Sequence, residues 1–419
     1  MLNKVKNKYL NKIIDYIFII ITPSFFSFIY YIVRFFKAPS KNSIFLAYTK
    51  ASILILMIPM FDIVYTYNSF LYFKNLSMED FFNYRLPIYH WFFYLGKNFY
   101  SFWFIYFGII IVIIQIWNKI YVINYQNTLK YTKLRYFYFT IFLFSIWYRN
   151  ILDITRYLLA CVVYVYFIMN FLYYRKGKKR IIICIFIHNS FIIFVLLFYF
   201  SILLKKIGKN IKLLFFFLGF LILLLKLCEK KIYIGIKFLL GNNINAFTQR
   251  IDRYVIDKSE IFLILKNSRV ELIKFSLMII TLIIFFKIIL HIFKNKKRAN
   301  FFSILIIEFY LIFFFLYDYY ILNERIFILI YLLSINYFFY NLKCIKLNQI
   351  KVITSLVIIN YLFFTISYLN IFYLNNNLPH LIRVDDIKSN ILKSVYQPNI
   401  VSIITNKYTE DWLNERIKK

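Results

Sequence analysis

The sequence predicts an all-α fold, a polytopic bundle of about eleven or twelve membrane helices with two longer external loops and a short C-terminal extramembrane tail. Of 419 residues, 62% are hydrophobic and 23% are aromatic, whereas only seven are glycine and six are proline. The apolar residues form repeated runs that do not alternate as barrel strands would. Short polar links rich in Lys and Arg separate these runs. This composition excludes a water-soluble globular protein.

The candidate spans follow one another along most of the chain. Most are close to the roughly 20 residues with which a helix crosses a hydrocarbon core of ~30 Å. The stretch 232–240 is shorter, and we expect a half-helix or a re-entrant element there. We expect a transmembrane domain over 1–374 and an extramembrane tail over 375–419. The full spans are expected at 12–34, 43–62, 98–118, 134–148, 157–174, 181–204, 211–228, 270–291, 301–317, 325–341 and 350–372.

The formal net charge of +34 is distributed in short clusters between apolar runs rather than in one patch. Basic links of membrane proteins face the cytoplasm, so the charge predicts orientation, and we expect no nucleic acid as a partner. The links expected inside are 130–135, 175–180, 294–298 and 343–346. The links expected outside are 62–97, 149–156, 205–210, 242–269 and 318–325.

Arg149, Asp153 and Arg156 form the first candidate site. They lie in an expected external link at the ends of two apolar spans. In a helix these positions share one face through steps of four and three residues, so Asp153 would hold either arginine in place. Two arginines held there suit an anionic head group. The alternative is a salt bridge at the end of a helix.

A second candidate site is the tripeptide His188-Asn189-Ser190, in the middle of the apolar run 181–204. An imidazole exchanges protons near neutral pH, which suits acid-base catalysis. The alternative for such a histidine is a hydrogen bond to a neighbouring helix. The same two interpretations apply to Glu308, which lies inside the expected span 301–317.

A third candidate site is Arg250, Arg253 and Tyr254, in one of the longest external links. Two arginines three residues apart would form forked contacts to phosphate, and the tyrosine would stack on a sugar ring. The alternative is a solvated run of charges.

Two further pairs lie on the same expected face. Asp318 and Arg325 stand at facing ends of consecutive spans, where the alternative for the arginine is snorkelling to the interface. Asp62 and Tyr65 end the second span.

The motifs of nucleotide and metal chemistry are missing from the sequence. It has no Walker loop, GxGxxG, HExxH or CxxC motif, and no acidic pair of the DxD type in an external link. We therefore expect no cofactor, no metal and no disulfide framework.

The stretch around the first two candidate sites resembles a known family. Arg156-Tyr157-Leu158-Leu159-Ala160, an apolar helix, the basic turn 175–180 and then Phe186-Ile187-His188-Asn189-Ser190 are similar to the EpsG family of polytopic polysaccharide polymerases, relatives in function of the Wzy O-antigen polymerases. The resemblance covers about residues 40–345 and is specific only within 149–200. The chain departs from the family at 85–89, Arg-Leu-Pro-Ile-Tyr, where relatives have a Glu-Pro pair.

The resemblance implies glycosyl transfer between polyprenyl-diphosphate-linked oligosaccharides, donor and acceptor, on the outer leaflet of the bacterial inner membrane. Its product would be O-antigen, capsular polysaccharide or exopolysaccharide, and a chain-length regulator is a further expected partner. Arginines would stabilise the leaving diphosphate, and an imidazole or carboxylate would accept the proton of the attacking hydroxyl. We expect Arg156, His188 and Asp153 to be catalytic. The expected substrate-binding residues are Arg149, Arg250, Arg253, Tyr254, Arg325, Asp318, Asp62, Tyr65 and Asn189.

Two other classes stay open at this point. A flippase or exporter of the same lipid-linked sugars would also need a cationic cavity. The chain has no visible internal repeat and few glycines, unlike most transporters. A membrane acyltransferase, or a glycosyltransferase that acts on protein, would differ in the transferred group or the acceptor.

Overall fold

The computed structural model consists of helices and turns, and the described residues contain no β-strand. The predicted all-α class is therefore confirmed over this part of the chain. The expected spans 43–62 and 211–228 and the stretch 232–240 lie outside the described residues. Residues are described continuously over 102–129, 134–146, 155–207, 269–294, 301–315 and 320–374, and at isolated positions within 13–33, 67–94 and 396–398.

The described helices follow most of the expected spans, with shifts of a few residues at their ends. The link 175–180 contains a tight turn that runs into a 3-10 helix, Lys179–Ile182, and a second 3-10 helix covers Leu342–Cys344. The helices are α1 (Phe102–Asn124, continued by the π-helical turn Tyr125–Leu129), α2 (Arg135–Ser145), α3 (Thr155–Tyr174), α4 (Ile183–Ile187), α5 (Phe191–Ile207), α6 (Arg269–Lys294), α7 (Phe301–Phe315), α8 (Tyr320–Tyr340) and α9 (Leu347–Leu374).

Four described helices are long and apolar enough to cross a membrane, over Gly108–Asn127, Thr155–Tyr174, Leu272–Phe293 and Leu347–Phe364. Three shorter apolar helices cover Tyr136–Ser145, Phe191–Lys205 and Phe301–Phe314. A helix satisfies all its backbone hydrogen bonds internally, which is what a hydrocarbon environment requires. These helices agree with the expected membrane protein.

The chain divides into two compact units. The first unit contains residues 1–189 and 361–419, and the second contains residues 190–360. Helix α9 passes from the second unit into the first. It ends at Leu374, and the expected tail from 375 is described only at 396–398, so the predicted division into a transmembrane domain and a tail stays a prediction.

In the first unit, α1 and α3 run parallel along their whole length. The hydroxyls of Tyr106 and Thr155, near the starts of the two helices, lie 3.0 Å apart. At the other end, the hydroxyl of Tyr173 donates to Oδ1 of Asn124 at 3.3 Å. Both pairs are separated by 49 residues in sequence, so the two helices keep one register from end to end.

Helix α2 runs antiparallel to α1 and packs on it through aromatic rings. Trp117 stacks on Phe142 with ring centroids 4.5 Å apart, and Tyr121 stacks on Tyr138 at 5.0 Å. Offset stacking of this kind adds about 0.5–1.5 kcal/mol per pair beyond the burial of area. These two stacked pairs therefore hold α1 and α2 together.

In the second unit, α8 is the most enclosed helix. It is buried from Ile326 to Phe339, which matches a sequence that is apolar on all sides. Helix α7 runs antiparallel to it, with Ser303 opposite Tyr337 at 2.8 Å and Tyr310 opposite Ser334 at 3.1 Å between hydroxyl oxygens. Hydroxyl pairs of this kind are typical of contacts between membrane helices.

Candidate functional site at the His188 helix break

The apolar run that contains His188 is broken, so the expected single span 181–204 is wrong. Helix α4 ends at Ile187, His188 has an extended backbone (φ −149°, ψ 116°), and α5 begins at Phe191 after a turn. Hydropathy gives no sign of the break, because both sides are apolar. The physical reason lies in Asn189 and Ser190, whose short polar side chains compete for backbone hydrogen bonds and favour turns.

The turn between α3 and α4 determines which part of α3 lies next to His188. Gly177 has φ +91°, and a Cβ built on it would lie 3.3 Å from the ring of Phe167. The turn thus folds back along the last two turns of α3 instead of continuing past Tyr174. The carbonyl of Gly177 accepts the backbone N–H of Arg180 at 3.0 Å, and the chain then enters the 3-10 helix.

Because of this fold-back, His188 reaches the first turn of α3. Its imidazole meets the ring of Tyr157 edge-on, with centroids 5.3 Å apart and an interplanar angle of 84°. Tyr157 is buried, and His188 is half-buried. Arg156, directly before Tyr157, is also half-buried, and Thr155 is held by Tyr106. The break therefore places an imidazole at the same end of α3 as Arg156.

This arrangement can perform two tasks. A guanidinium attracts a phosphate through forked hydrogen bonds, and an imidazole at the same end of α3 can accept a proton. Asn189, in the exposed turn after His188, adds an amide that donates and accepts. The helix break leaves irregular backbone at the start of the candidate span Thr155–Tyr174, which a membrane protein tolerates where the backbone is enclosed by protein or lines a wet cavity.

The second unit holds an ion pair between two helices that the sequence pattern does not predict. Nζ of Lys274 on α6 lies 3.0 Å from Oε1 of Glu324 on α8, and the two side chains are 1% and 17% exposed. Arg325, one of the expected substrate-binding residues, follows Glu324 and is half-buried. A lysine inside an apolar run is rare enough in membrane helices to have been a signal. The structure places Arg325 beside this ion pair.

Glu308 forms a hydrogen bond to a neighbouring helix, which is the structural one of the two interpretations given for this residue. The hydroxyl of Ser201 on α5 donates to its Oε2 at 2.6 Å, across the contact between α5 and α7. Its Oε1 has no hydrogen-bond partner among the described residues. The carboxyl group thus forms a hydrogen bond between two helices of the second unit.

The other expected site residues lie outside the described residues, and their roles stay predictions. They are Arg149, Asp153, Arg250, Arg253, Tyr254, Asp318, Asp62 and Tyr65. Over the part of the chain that is described, no three His, Cys, Asp or Glu side chains converge as metal ligands would.

Comparison with known proteins gives no relative: no family model, no characterised protein and no solved structure matches the chain.

Proposed function

We propose that the chain is a membrane glycosyltransferase of the EpsG or Wzy type, which joins lipid-diphosphate-linked oligosaccharide repeat units into a polysaccharide. The observation that carries the proposal is the helix break that brings His188 beside Tyr157, at the Arg156 end of α3. These residues belong to the stretch in which the sequence resembles that family. The proposed location is the bacterial inner membrane, with the site open to the outer side.

The proposed reaction assigns one task to each group. The bond between the anomeric carbon and the diphosphate oxygen breaks, and Arg156 stabilises the negative charge that develops on the leaving diphosphate. A hydroxyl oxygen of the acceptor sugar forms the new glycosidic bond to that carbon. The hydroxyl proton passes to His188, or to Asp153 if the imidazole only orients that carboxylate. Asn189 would hydrogen-bond a sugar hydroxyl.

One observation also favours a second function. Broken helices with irregular backbone at membrane depth are typical of transporters, in which they form the substrate site. The break at His188 would suit a flippase or exporter of the same lipid-linked sugars. Both functions need a cation for the diphosphate, but only the transferase needs a proton acceptor.

An assay with purified protein in detergent separates the two functions. A detergent micelle does not divide the solution into two compartments, so a flippase has nowhere to move its substrate. The protein is given lipid-diphosphate-linked repeat units as both donor and acceptor. The transferase forms products that are two or more repeat units long and releases polyprenyl diphosphate. A flippase leaves the repeat units unjoined, and that result would overturn the proposed reaction.

A further inference from the structure

The turn between α3 and α4 carries a dense exposed positive charge. Five of its six residues are basic, none is acidic, and all five basic residues are exposed. The guanidinium of Arg175 lies over the ring of Phe171, 5.8 Å from its centroid, so that side chain lies back against α3. The basic residues are Arg175, Lys176, Lys178, Lys179 and Arg180.

Lys119 on α1 lies at the same height as this turn. By the register of 49 residues between α1 and α3, Lys119 is level with Ile168. Gly177 packs against Phe167, one residue away along α3. Lys119 is also exposed, although the segment around it is apolar. Two separate elements therefore place exposed cations at one level of the first unit.

That level fits one surface of a bilayer. Twelve residues of α3 separate it from Arg156, which is roughly 18 Å of helix. Long Lys and Arg side chains extend their charged ends toward water by several more ångströms. With the lysines reaching one surface and Arg156 reaching the other, the distance approaches the ~30 Å of a hydrocarbon core. The last two turns of α3, and the part of α1 after Lys119, then project into the head-group region, so the hydrocarbon core surrounds only the earlier parts of the candidate spans Gly108–Asn127 and Thr155–Tyr174.

Exposed apolar side chains adjoin the basic turn. Ile182, Ile183 and Phe186, on the 3-10 helix and α4, are 42%, 40% and 54% exposed. They follow directly after the cations, on the stretch that leads from the turn toward His188. A ligand that contacts both the basic turn and these apolar side chains would need an anionic head group and apolar tails.

We propose that the basic turn 175–180, together with Lys119, binds anionic phospholipid head groups, whose acyl chains pack on Ile182, Ile183 and Phe186. The phosphates attract the cations, and each Lys or Arg near an anionic surface contributes about 1 kcal/mol. The binding site is independent of the proposed glycosyl transfer.

The test is native mass spectrometry of the purified full chain in detergent, titrated with phosphatidylglycerol or with phosphatidylcholine. The turn variant carries Lys176→Gln, Lys178→Gln and Lys179→Gln. The matched control carries Lys205→Gln, Lys287→Gln and Lys351→Gln, which remove the same charge from exposed lysines on three different helices, α5, α6 and α9. A second variant carries arginine at the same three turn positions. It changes the side chains but keeps their charge, so it separates the loss of charge from a disturbance of the fold.

We expect the wild-type chain to prefer phosphatidylglycerol, and the turn variant to lose affinity for it by on the order of 100-fold. The scattered control and the arginine variant should retain it, and Lys119→Gln alone should lose about 5-fold. Equal binding by the turn variant and the wild-type chain overturns the proposal, as does an equal loss in the scattered control. Displacement by soluble glycerol 3-phosphate at equal concentration would show a site for a free anion instead of a lipid.

Discussion

The ion pair between Lys274 and Glu324 gives a prediction about the stability of the second unit. Helices α6 and α8 run parallel, and Phe285 on α6 also packs edge-on against Phe338 on α8, with centroids 5.0 Å apart. Lys274 is 1% exposed, so water cannot replace its partner, whereas Glu324 is 17% exposed. Removing one member of such a pair leaves a charge in a place of low dielectric.

We expect Lys274→Met and Glu324→Met each to lower the free energy of unfolding by about 3 kcal/mol, the lower end of the range for buried pairs, because water reaches Glu324. The double variant should lie within about 1 kcal/mol of the wild-type chain, since both charges of the pair are then absent. The measurement is unfolding in mixed detergent micelles, followed by circular dichroism.

Lys287→Met is the matched control, because Lys287 lies on the same helix and is exposed. It should change the unfolding free energy by no more than about 0.5 kcal/mol. If Lys274→Met behaves like this control, the pair does not join α6 to α8. Losses that simply add in the double variant would refute the coupling of the two charges.

Three further outcomes follow from the same structure. Gly177→Ala should lower the free energy of unfolding by about 1–3 kcal/mol, because alanine is strained at φ +91°; an unchanged unfolding curve would contradict the fold-back of the turn. Cysteines introduced at Lys178 and Asn189 should react with a membrane-impermeant thiol reagent from opposite sides, and reaction from one side only would contradict the orientation. Polymer formation should survive EDTA, since arginine supplies the positive charge, and a strict need for added magnesium or manganese would contradict that role.

Helix positions were largely predictable from the sequence. The expected span 157–174 agrees with α3 except for two residues at its start. The agreement is close because an unbroken apolar run in a membrane can form little other than a helix. The run 181–204 is just as apolar, and its hydropathy hides the break at His188. The tripeptide His188-Asn189-Ser190 is the one signal of the break in this run, but its polar residues are equally compatible with a polar site inside a continuous helix.

The contacts of the candidate site were not predictable to the same degree. That Arg156 and His188 lie at one end of α3 depends on the turn at Gly177 folding back onto Phe167, and this packing follows from three-dimensional contacts. Lys274 lies within the expected span 270–291, and its partner Glu324 is far from it in sequence. The sequence therefore does not show that the two side chains form an ion pair. Sequence patterns indicate which residues are costly to bury, but the fold decides which of them meet.

If Arg156 and His188 act in one site on one reaction, a double-mutant cycle on the rate of polymer formation will show that their effects are coupled. Arg156→Ala should lower the rate by roughly 30- to 1000-fold, and His188→Ala by roughly 10²–10⁴-fold. Arg156→Lys should recover only part, since an ammonium cannot make the forked contact. Asn127→Ala, a change in an exposed residue on the π-helical turn after α1, should leave the rate unchanged.

Groups that serve one transition state do not contribute additively. The double variant Arg156→Ala/His188→Ala, still inserted and folded by circular dichroism, should therefore be little slower than the slower single variant. A double variant whose rate loss is the full product of the two single losses would place the two residues in separate steps, and near-wild-type rates in both single variants would contradict the site altogether.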